Sequence, residues 1–126
     1  MDATLKKRKK TVAVFDDDRD LLDIYSYLLE EEGYEVVLYS NCDDVVAKMK
    51  ELLPNVILMD NWIPVIGGVA AIGELKNDAA LRNIPVILVS ANNDVAKIAE
   101  KAGADGAIAK PFEFDDLLSL IAKLSA

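Results

Sequence analysis

Five polar residues follow short apolar runs of the kind that form buried β-strands: Asp16, Asp17, Asp60, Ser90 and Lys110. In an open parallel α/β sheet the carboxyl ends of the strands meet at one edge, and ligands bind there. Three carboxylates brought together repel one another unless a cation lies among them. A divalent metal bound together with a phosphoryl group would satisfy the acids, the hydroxyl and the ammonium at once. The pattern therefore predicts a metal-dependent site for phosphoryl chemistry.

Three consecutive acids, Asp16, Asp17 and Asp18, follow the first of these runs. Aspartate is a favoured helix N-cap, and the helix dipole favours acids in the first turn, which accounts for Asp18. Capping leaves Asp16 and Asp17 unexplained, and consecutive acids do not pack into a hydrophobic core. We therefore expect at least one of these two residues to be a metal ligand.

Asp60 follows the wholly apolar run 56–59. Aspartate is an established covalent acceptor in phosphoryl transfer, so this carboxylate is a candidate nucleophile towards phosphorus. Taken alone, Asp60 is explained equally well as an acid that begins a loop. A magnesium ion shared with Asp17 would reduce the repulsion between the attacking carboxylate and the phosphate.

Two further strand ends supply a hydroxyl and an ammonium. Ser90 could donate a hydrogen bond to a phosphoryl oxygen, although a serine at a strand end is more often a turn residue. Lys110 could pair with the acids and with a phosphoryl group, although a surface lysine is the simpler explanation. Pro111 favours an extended conformation at Lys110 and allows a cis peptide bond. Each signal is weak alone, but together they predict one site.

Strand and helix patterns alternate along the chain, and this order must position the five residues. The predicted strands span residues 11–15, 35–39, 56–59, 85–89 and 107–109. The predicted helices span residues 18–32, 41 or 43 to 52 or 53, 68–76, 94–102 and 113–124. Five β-α units with short connections and right-handed crossovers predict an α/β fold with a parallel sheet.

The composition limits the chemistry further. With 126 residues, 52% hydrophobic and 29% charged, the chain fits one globular domain. No apolar run reaches the roughly 20 residues of a membrane span, and a secretion signal would need a longer apolar stretch. The absence of histidine excludes Ser-His-Asp and Cys-His catalysis and disfavours zinc, so any metal should be one that oxygen ligands suit. The single cysteine, Cys42, fits a reducing cytoplasm.

The charge of the chain is unevenly distributed. The net charge is −8, but the first ten residues hold five cations and one acid, so the other 116 residues carry −12. We expect residues 1–10 to be a basic, disordered tail and residues 11–126 to be the folded domain. A body this acidic is a poor nonspecific nucleic-acid binder, so direct nucleic-acid contact is not expected.

The chain resembles the receiver domain of two-component response regulators over residues 11–124. The motifs that carry the resemblance are Phe15-Asp16-Asp17-Asp18, Leu58-Met59-Asp60 followed by Pro64 and Gly68, Val89-Ser90-Ala91, and Lys110-Pro111-Phe112. The fold it implies is a flavodoxin-like, doubly wound sheet of five parallel strands in the order 2-1-3-4-5, with five helices.

The resemblance also implies a function. A sensor histidine kinase or histidine phosphotransfer protein would donate a phosphoryl group to Asp60, and Ser90 and Lys110 would engage that group. The protein would be a signalling switch for a downstream protein rather than an enzyme, assisting only its own phosphorylation and dephosphorylation. We expect a free-standing cytoplasmic domain that is a monomer or a weak homodimer.

A metal site is implied in the same way. Mg²⁺, or alternatively Mn²⁺, would be held by the carboxylates of Asp17 and Asp60 and by the backbone carbonyl of Trp62. Asp16 would contribute through water.

The chain departs from the family pattern at four positions. Asn61 stands where the family often has a bulky apolar residue, and Gly67 replaces the usual acid. Trp62 is large and apolar for a position beside the phosphoryl site, so we expect it to slow the attack of water on an acyl phosphate. Ala107 stands where many members have Tyr or Phe, which removes the usual aromatic readout of the switch.

Two other interpretations compete with this one. The Asp-x-Asp of residues 16–18 resembles the motif of haloacid-dehalogenase-type phosphatases, with Asp16 as the nucleophile and Asp18 as the acid/base. That interpretation gives Asp60 no role and usually requires a longer chain with a cap. Alternatively, the chain is a receiver module cut from a longer regulator with a DNA-binding or enzymatic output domain. A nucleotide-binding module is disfavoured, because the sequence has neither a Walker-type loop nor Gly-x-Gly-x-x-Gly.

The first and last predicted helices are more apolar than one narrow stripe requires. The residues concerned are Leu22, Tyr27, Leu29, Leu117, Leu120 and Leu124. They predict either a face for a partner or a second copy or, equally well, a wide buried stripe against a sheet covered on both faces.

Overall fold

The computed structural model describes residues 9–62 and 67–126, which form five parallel strands and five helices. The strands are β1 (Thr11–Phe15), β2 (Glu35–Tyr39), β3 (Val56–Asp60), β4 (Val86–Ser90) and β5 (Gly106–Ala109). The helices are α1 (Arg19–Glu31), α2 (Val45–Leu52), α3 (Gly68–Lys76), α4 (Val95–Ala102) and α5 (Phe114–Leu124). Residues 1–8 of the predicted disordered tail lie outside the described residues. Among the helices that are described, none is long and apolar enough to cross a membrane.

The sheet order is β2-β1-β3-β4-β5, which confirms the predicted order. Every residue of β3 and β4 is buried, whereas the edge strands β2 and β5 are more exposed. Strands that are apolar throughout need both faces covered, and two hydrophobic clusters provide this. One cluster packs α1 and α5 on one face of the sheet, and the other packs α2, α3 and α4 on the opposite face.

Strands β3 and β4 each end one residue later than predicted. Asp60 pairs with Val89, and Ser90 pairs with Ala109, in parallel register. Both polar residues are therefore the last residues of their strands rather than the first residues of loops. The apolar pattern misses them because backbone pairing with a neighbouring strand does not require an apolar side chain.

The loops that follow β1 and β2 show how local hydrogen bonds set helix starts. Asp18 caps α1 as predicted, since its carboxylate accepts the N–H groups of Asp20 and Leu21. Helix α2 begins only at Val45, after both predicted starts. The Asn41 side chain accepts the Asp43 N–H at 2.9 Å, which favours a turn over a first helical turn.

The apolar faces of α1 and α5 are explained mainly by burial. Leu22, Leu29 and Leu117 are buried, and Leu120 and Leu124 pack partly buried against the same cluster. Of the residues that suggested a partner face, Tyr27 is exposed, with 65% of its surface accessible. A wide buried stripe therefore accounts for the pattern.

Candidate functional site

The Asp60 carboxylate is fixed at the end of the central strand β3. It is only 6% exposed. Its Oδ1 accepts a hydrogen bond from Lys110 Nζ at 2.8 Å, and its Oδ2 accepts the backbone N–H of Trp62 at 2.9 Å. Each oxygen has one donor from a different part of the chain, so the orientation of the carboxylate is determined.

Two further acids come from the neighbouring strand β1. Asp16 is 2% exposed and accepts the Asp18 N–H on Oδ1 at 2.9 Å, while Asp17 is exposed. Oδ2 of Asp16 lies 3.5 Å from Lys110 Nζ and is buried without a hydrogen-bond partner among the residues that the structure describes. One carboxylate oxygen each from Asp16, Asp17 and Asp60 lie within 4.8 Å of one another.

The close packing of these charged groups shifts the pKa values of Asp16 and Lys110. Burial raises the pKa of the Asp16 carboxyl, the Asp18 N–H opposes the rise, and the charge of Asp60 adds to it. Burial alone would lower the pKa of the Lys110 ammonium, but its hydrogen bond to Asp60 and the charges of Asp60 and Asp16 outweigh burial and raise it. Lys110 therefore stays protonated beside the acids, yet one ammonium does not neutralise three carboxylates.

The donor set suits a hard divalent cation. The clustered ligand atoms are all carboxylate oxygens, which magnesium and manganese prefer and zinc does not. Within the described ranges 9–62 and 67–126, no donor bonds the buried Asp16 Oδ2, and a cation or its bound water would satisfy this oxygen. The residues present therefore fit an Mg²⁺ or Mn²⁺ site.

Ser90 and Lys110 reach this site from β4 and from the end of β5. Ser90 is 1% exposed, and its carbonyl accepts the Lys110 backbone N–H at 2.8 Å. The peptide bond between Lys110 and Pro111 is cis, one of the two isomers allowed by the sequence. Strands β3, β4 and β5 are neighbours, so their carboxyl ends place Asp60, Ser90 and Lys110 at one edge.

Residues 61–68 link the site to α3, and part of this segment lies outside the described residues, including Pro64 of the family motif. Trp62 is 76% exposed, so the indole gives no support to the expected shielding of Asp60 from water. Two contacts here were not predicted from sequence. Asn61 donates to the Ser90 hydroxyl, and Gly68 lies directly against the Asp60 carbonyl. The sequence signal for the contact of Gly68 with the Asp60 carbonyl was the pair of adjacent glycines, Gly67 and Gly68, because glycine allows close approach of two backbones.

The phosphatase interpretation finds no support in this geometry. The Asp18 carboxylate serves as the cap of α1, accepting two backbone N–H groups, rather than as a free acid/base. Asp60, which that interpretation leaves without a role, lies at the centre of the cluster instead.

Comparison with known proteins gives the family. A family model described as the response regulator receiver domain matches residues 12–122, almost the whole described fold. The chain belongs to this family. The crystal structure of a CheY-like response regulator receiver domain protein from Methanospirillum hungatei has a TM-score of 0.84 and 28% identity, covering 94% of each chain. The predicted flavodoxin-like fold is therefore confirmed.

Receiver sequences of two kinds of protein resemble this chain. The phosphate regulon transcriptional regulatory protein PhoB of Escherichia coli is 28% identical over 114 residues, covering 89% of this chain and 50% of PhoB. The CAI-1 autoinducer sensor kinase/phosphatase CqsS of Vibrio cholerae is 29% identical over 119 residues, covering 92% of this chain and 17% of CqsS. This receiver domain thus spans about half of PhoB and less of CqsS.

Proposed function

We propose that Asp60 accepts a phosphoryl group from a histidine kinase or a histidine phosphotransfer protein. The observation that carries this proposal is the Asp60 carboxylate itself, buried at the sheet edge with Lys110 on one oxygen and two further acids beside it. A buried, oriented carboxylate whose negative neighbours call for a cation is suited to a covalent phosphoryl acceptor.

The other residues of the site have separate roles in this proposal. Lys110 pairs with Asp60 before transfer and with a phosphoryl oxygen afterwards, and Ser90 donates its hydroxyl to another phosphoryl oxygen. Asp17, Asp60 and the Trp62 carbonyl hold Mg²⁺ or Mn²⁺, with Asp16 contributing through water. When bound, the metal neutralises negative charge on the carboxylates and on the phosphoryl group.

Phosphorylation would act as a switch through the loops that follow β4 and β5. A phosphoryl group on Asp60 draws the Ser90 hydroxyl and the Lys110 ammonium towards it, which shifts the conformational equilibrium of both loops. A downstream protein then distinguishes the two states. Because Ala107 replaces the aromatic residue usual in the family, this readout relies on the loops and their backbone.

The partners are proposed by class only. PhoB is by name a transcriptional regulator and CqsS a sensor kinase/phosphatase, so receiver sequences like this one occur in proteins with different outputs. For this chain we propose a kinase or phosphotransfer protein upstream and a protein target downstream.

The test is stoichiometric phosphorylation of the intact protein. With Mg²⁺ and acetyl phosphate, mass spectrometry should find one added phosphoryl group on Asp60, and Trp62 fluorescence should change because its backbone N–H bonds that carboxylate. The Asp60→Asn variant should show neither change, whereas Asp23→Asn on the exposed side of α1 should behave as wild type. Phosphorylation of Asp60→Asn to the same extent, or steady hydrolysis of a phosphate ester, would reject the proposal.

A further inference from the structure

The Asn61 side chain is held against the Ser90 hydroxyl by a fixed backbone. The Asn61 N–H donates to the Val89 carbonyl at 2.9 Å, and the Asn61 carbonyl accepts the Gly68 N–H at 3.3 Å. These bonds tie Asn61 to β4 on one side and to the start of α3 on the other. From this position the side-chain amide donates to Ser90 Oγ at 3.4 Å.

Ser90 Oγ accepts a second hydrogen bond as well. The Asn92 N–H donates to it at 3.0 Å, from the loop that follows β4. A hydroxyl has two lone pairs and one proton, so with both lone pairs engaged only the proton remains for another partner. Ser90 is 1% exposed, which makes these bonds harder to replace with water.

We propose that Asn61 is a positioning residue that holds the Ser90 hydroxyl in its unphosphorylated place and so opposes the switch. The inference rests on the proposed function, in which Ser90 moves to meet a phosphoryl group on Asp60. Because the Asn61 backbone is tied to two elements, movement of Ser90 Oγ stretches or breaks the bond to the Asn61 amide. The bulky apolar residue that the family often has at this position has no amide and could not make this bond.

The expected size of the effect follows from one weak hydrogen bond. A typical bond contributes modestly to stability, and 3.4 Å is at the long end for N–H···O. Removing it should favour the switched state by about 2- to 10-fold.

A double-mutant cycle isolates the Asn61–Ser90 pair. Asn61→Leu keeps the side-chain size and removes the amide, and beryllofluoride titrated at constant Mg²⁺ serves as the phosphoryl mimic. The apparent dissociation constant should fall about 2- to 10-fold for Asn61→Leu in the wild-type background and stay unchanged when Ser90→Ala is already present. Asn83→Leu, an exposed asparagine on the loop before β4, is the matched control and should have no effect.

A measurement without any ligand tests the tether separately. In nitrogen-15 spectra of the free protein, Ser90→Ala should shift the Asn61 side-chain amide resonances and leave those of Asn83 in place. Unmoved Asn61 resonances would overturn the tether, whatever the protein does with phosphate. So would an Asn61→Leu effect that is absent or is equal in both backgrounds.

The two proposals fail in different ways. If wild type and Asp60→Asn respond identically to beryllofluoride, the proposed function is wrong, and the spectra of the free protein still decide whether Asn61 holds Ser90. If only wild type responds and Asn61→Leu changes nothing, the proposed function stands and the tether is wrong.

Discussion

The Asp16 carboxylate reduces the stability of the metal-free protein. It is buried, and in the described part of the chain one of its oxygens has no hydrogen-bond partner. Burial together with the charge of Asp60 raises its pKa. A raised carboxyl pKa means that the folded protein disfavours the ionised form more than the unfolded chain does. Ionised Asp16 thus lowers the free energy of unfolding of the metal-free protein, and its Oδ2 oxygen is available to a ligand.

We expect Asp16→Asn to raise the free energy of unfolding at pH 7 in the presence of a chelator, because it removes a charge whose burial is unfavourable. The amide oxygen can still accept the Asp18 N–H, while the buried charge is removed. The gain should shrink as the pH falls through the raised pKa of folded Asp16, and it should vanish below 3.8, the ordinary pKa of this carboxyl, where Asp16 is protonated in both states. Urea unfolding of both proteins at several pH values measures this difference in stability.

The matched control is Asp23→Asn on the exposed side of α1, which should change stability by less than about 0.5 kcal/mol. Added Mg²⁺ should reduce the difference in free energy of unfolding between the two proteins, because it should stabilise wild type more than Asp16→Asn. A loss of stability for Asp16→Asn at pH 7 would show that the attraction of Asp16 to Lys110 outweighs the cost of burial, and our account of the cluster would be wrong.

Sequence predicts the proximity of the site residues better than their contacts. Asp16, Asp60, Ser90 and Lys110 are brought together because each marks the carboxyl end of a parallel strand, and strand ends are visible as the ends of apolar runs. The Asn61 contact depends on register and loop path, which no residue pattern encodes. For the same reason the exposure of the Trp62 indole could not be predicted.

At the scale of elements, helix α3 begins in direct contact with the end of β3. A Cβ added to Gly68 would overlap the Asp60 carbonyl oxygen, a backbone atom that cannot move aside cheaply. A Cβ added to Gly73, in the same helix, would meet nothing within 4 Å. Gly68 is therefore required by close packing, whereas packing does not require glycine at position 73.

We expect Gly68→Ala to destabilise the fold by more than about 1 kcal/mol and to weaken Asp60-dependent phosphorylation, because α3 must shift away from β3. Gly73→Ala should stabilise the fold by about 0.5–1 kcal/mol, since alanine has the higher helix propensity. Thermal unfolding and acetyl phosphate labelling of both variants measure this. Equal effects of the two substitutions would contradict the proposed contact.

Some element boundaries that local sequence decides were predictable, at both ends of α1 and at the end of α4. Asp18 caps α1 as predicted, and α1 and α4 end within one residue of their predicted ends, each followed in the structure by a glycine with positive φ, Gly33 and Gly103. The ends of β3 and β4 were misplaced by one residue because pairing with the next strand decides them. The start of α2 was misplaced because an Asn41 side-chain bond competes with the helix.

Across the whole molecule, the two ends of the sheet are built differently. At the amino end of β4 and β5, Lys76 Nζ donates to the Arg82 and Ile84 carbonyls and to Asp105, which also accepts the Val86 N–H. Charge and hydrogen-bonding capacity are matched there. At the carboxyl end, the described residues hold more acids than cations, and among them Asp16 Oδ2 finds no hydrogen-bond partner. The satisfied end supports the fold, so that the other end can hold the unfavourable charges of a ligand site.

Cys42 provides a probe of how cooperatively the hydrophobic core opens. The thiol is 1% exposed in the cluster beneath α2, 3.7 Å from the Met59 sulfur, and burial and the charges of Asp43 and Glu74 raise its pKa to about 11. A thiolate is the reactive form, so the folded protein should protect this group strongly near pH 8.

We expect native Cys42 to react with a disulfide reagent at pH 8 at least on the order of 10³-fold more slowly than in denaturant, since reaction requires opening of the core. If the opening is global, Asp16→Asn should slow labelling by the same factor by which it shifts the unfolding equilibrium, although residue 16 follows β1 and the sulfur atoms lie before α2 and on β3. Labelling that is fast, or slow but insensitive to Asp16→Asn, would show instead that the segment before α2 opens by itself. Sensitivity of Cys42 labelling to a substitution at Asp16 is what one cooperative α/β core requires.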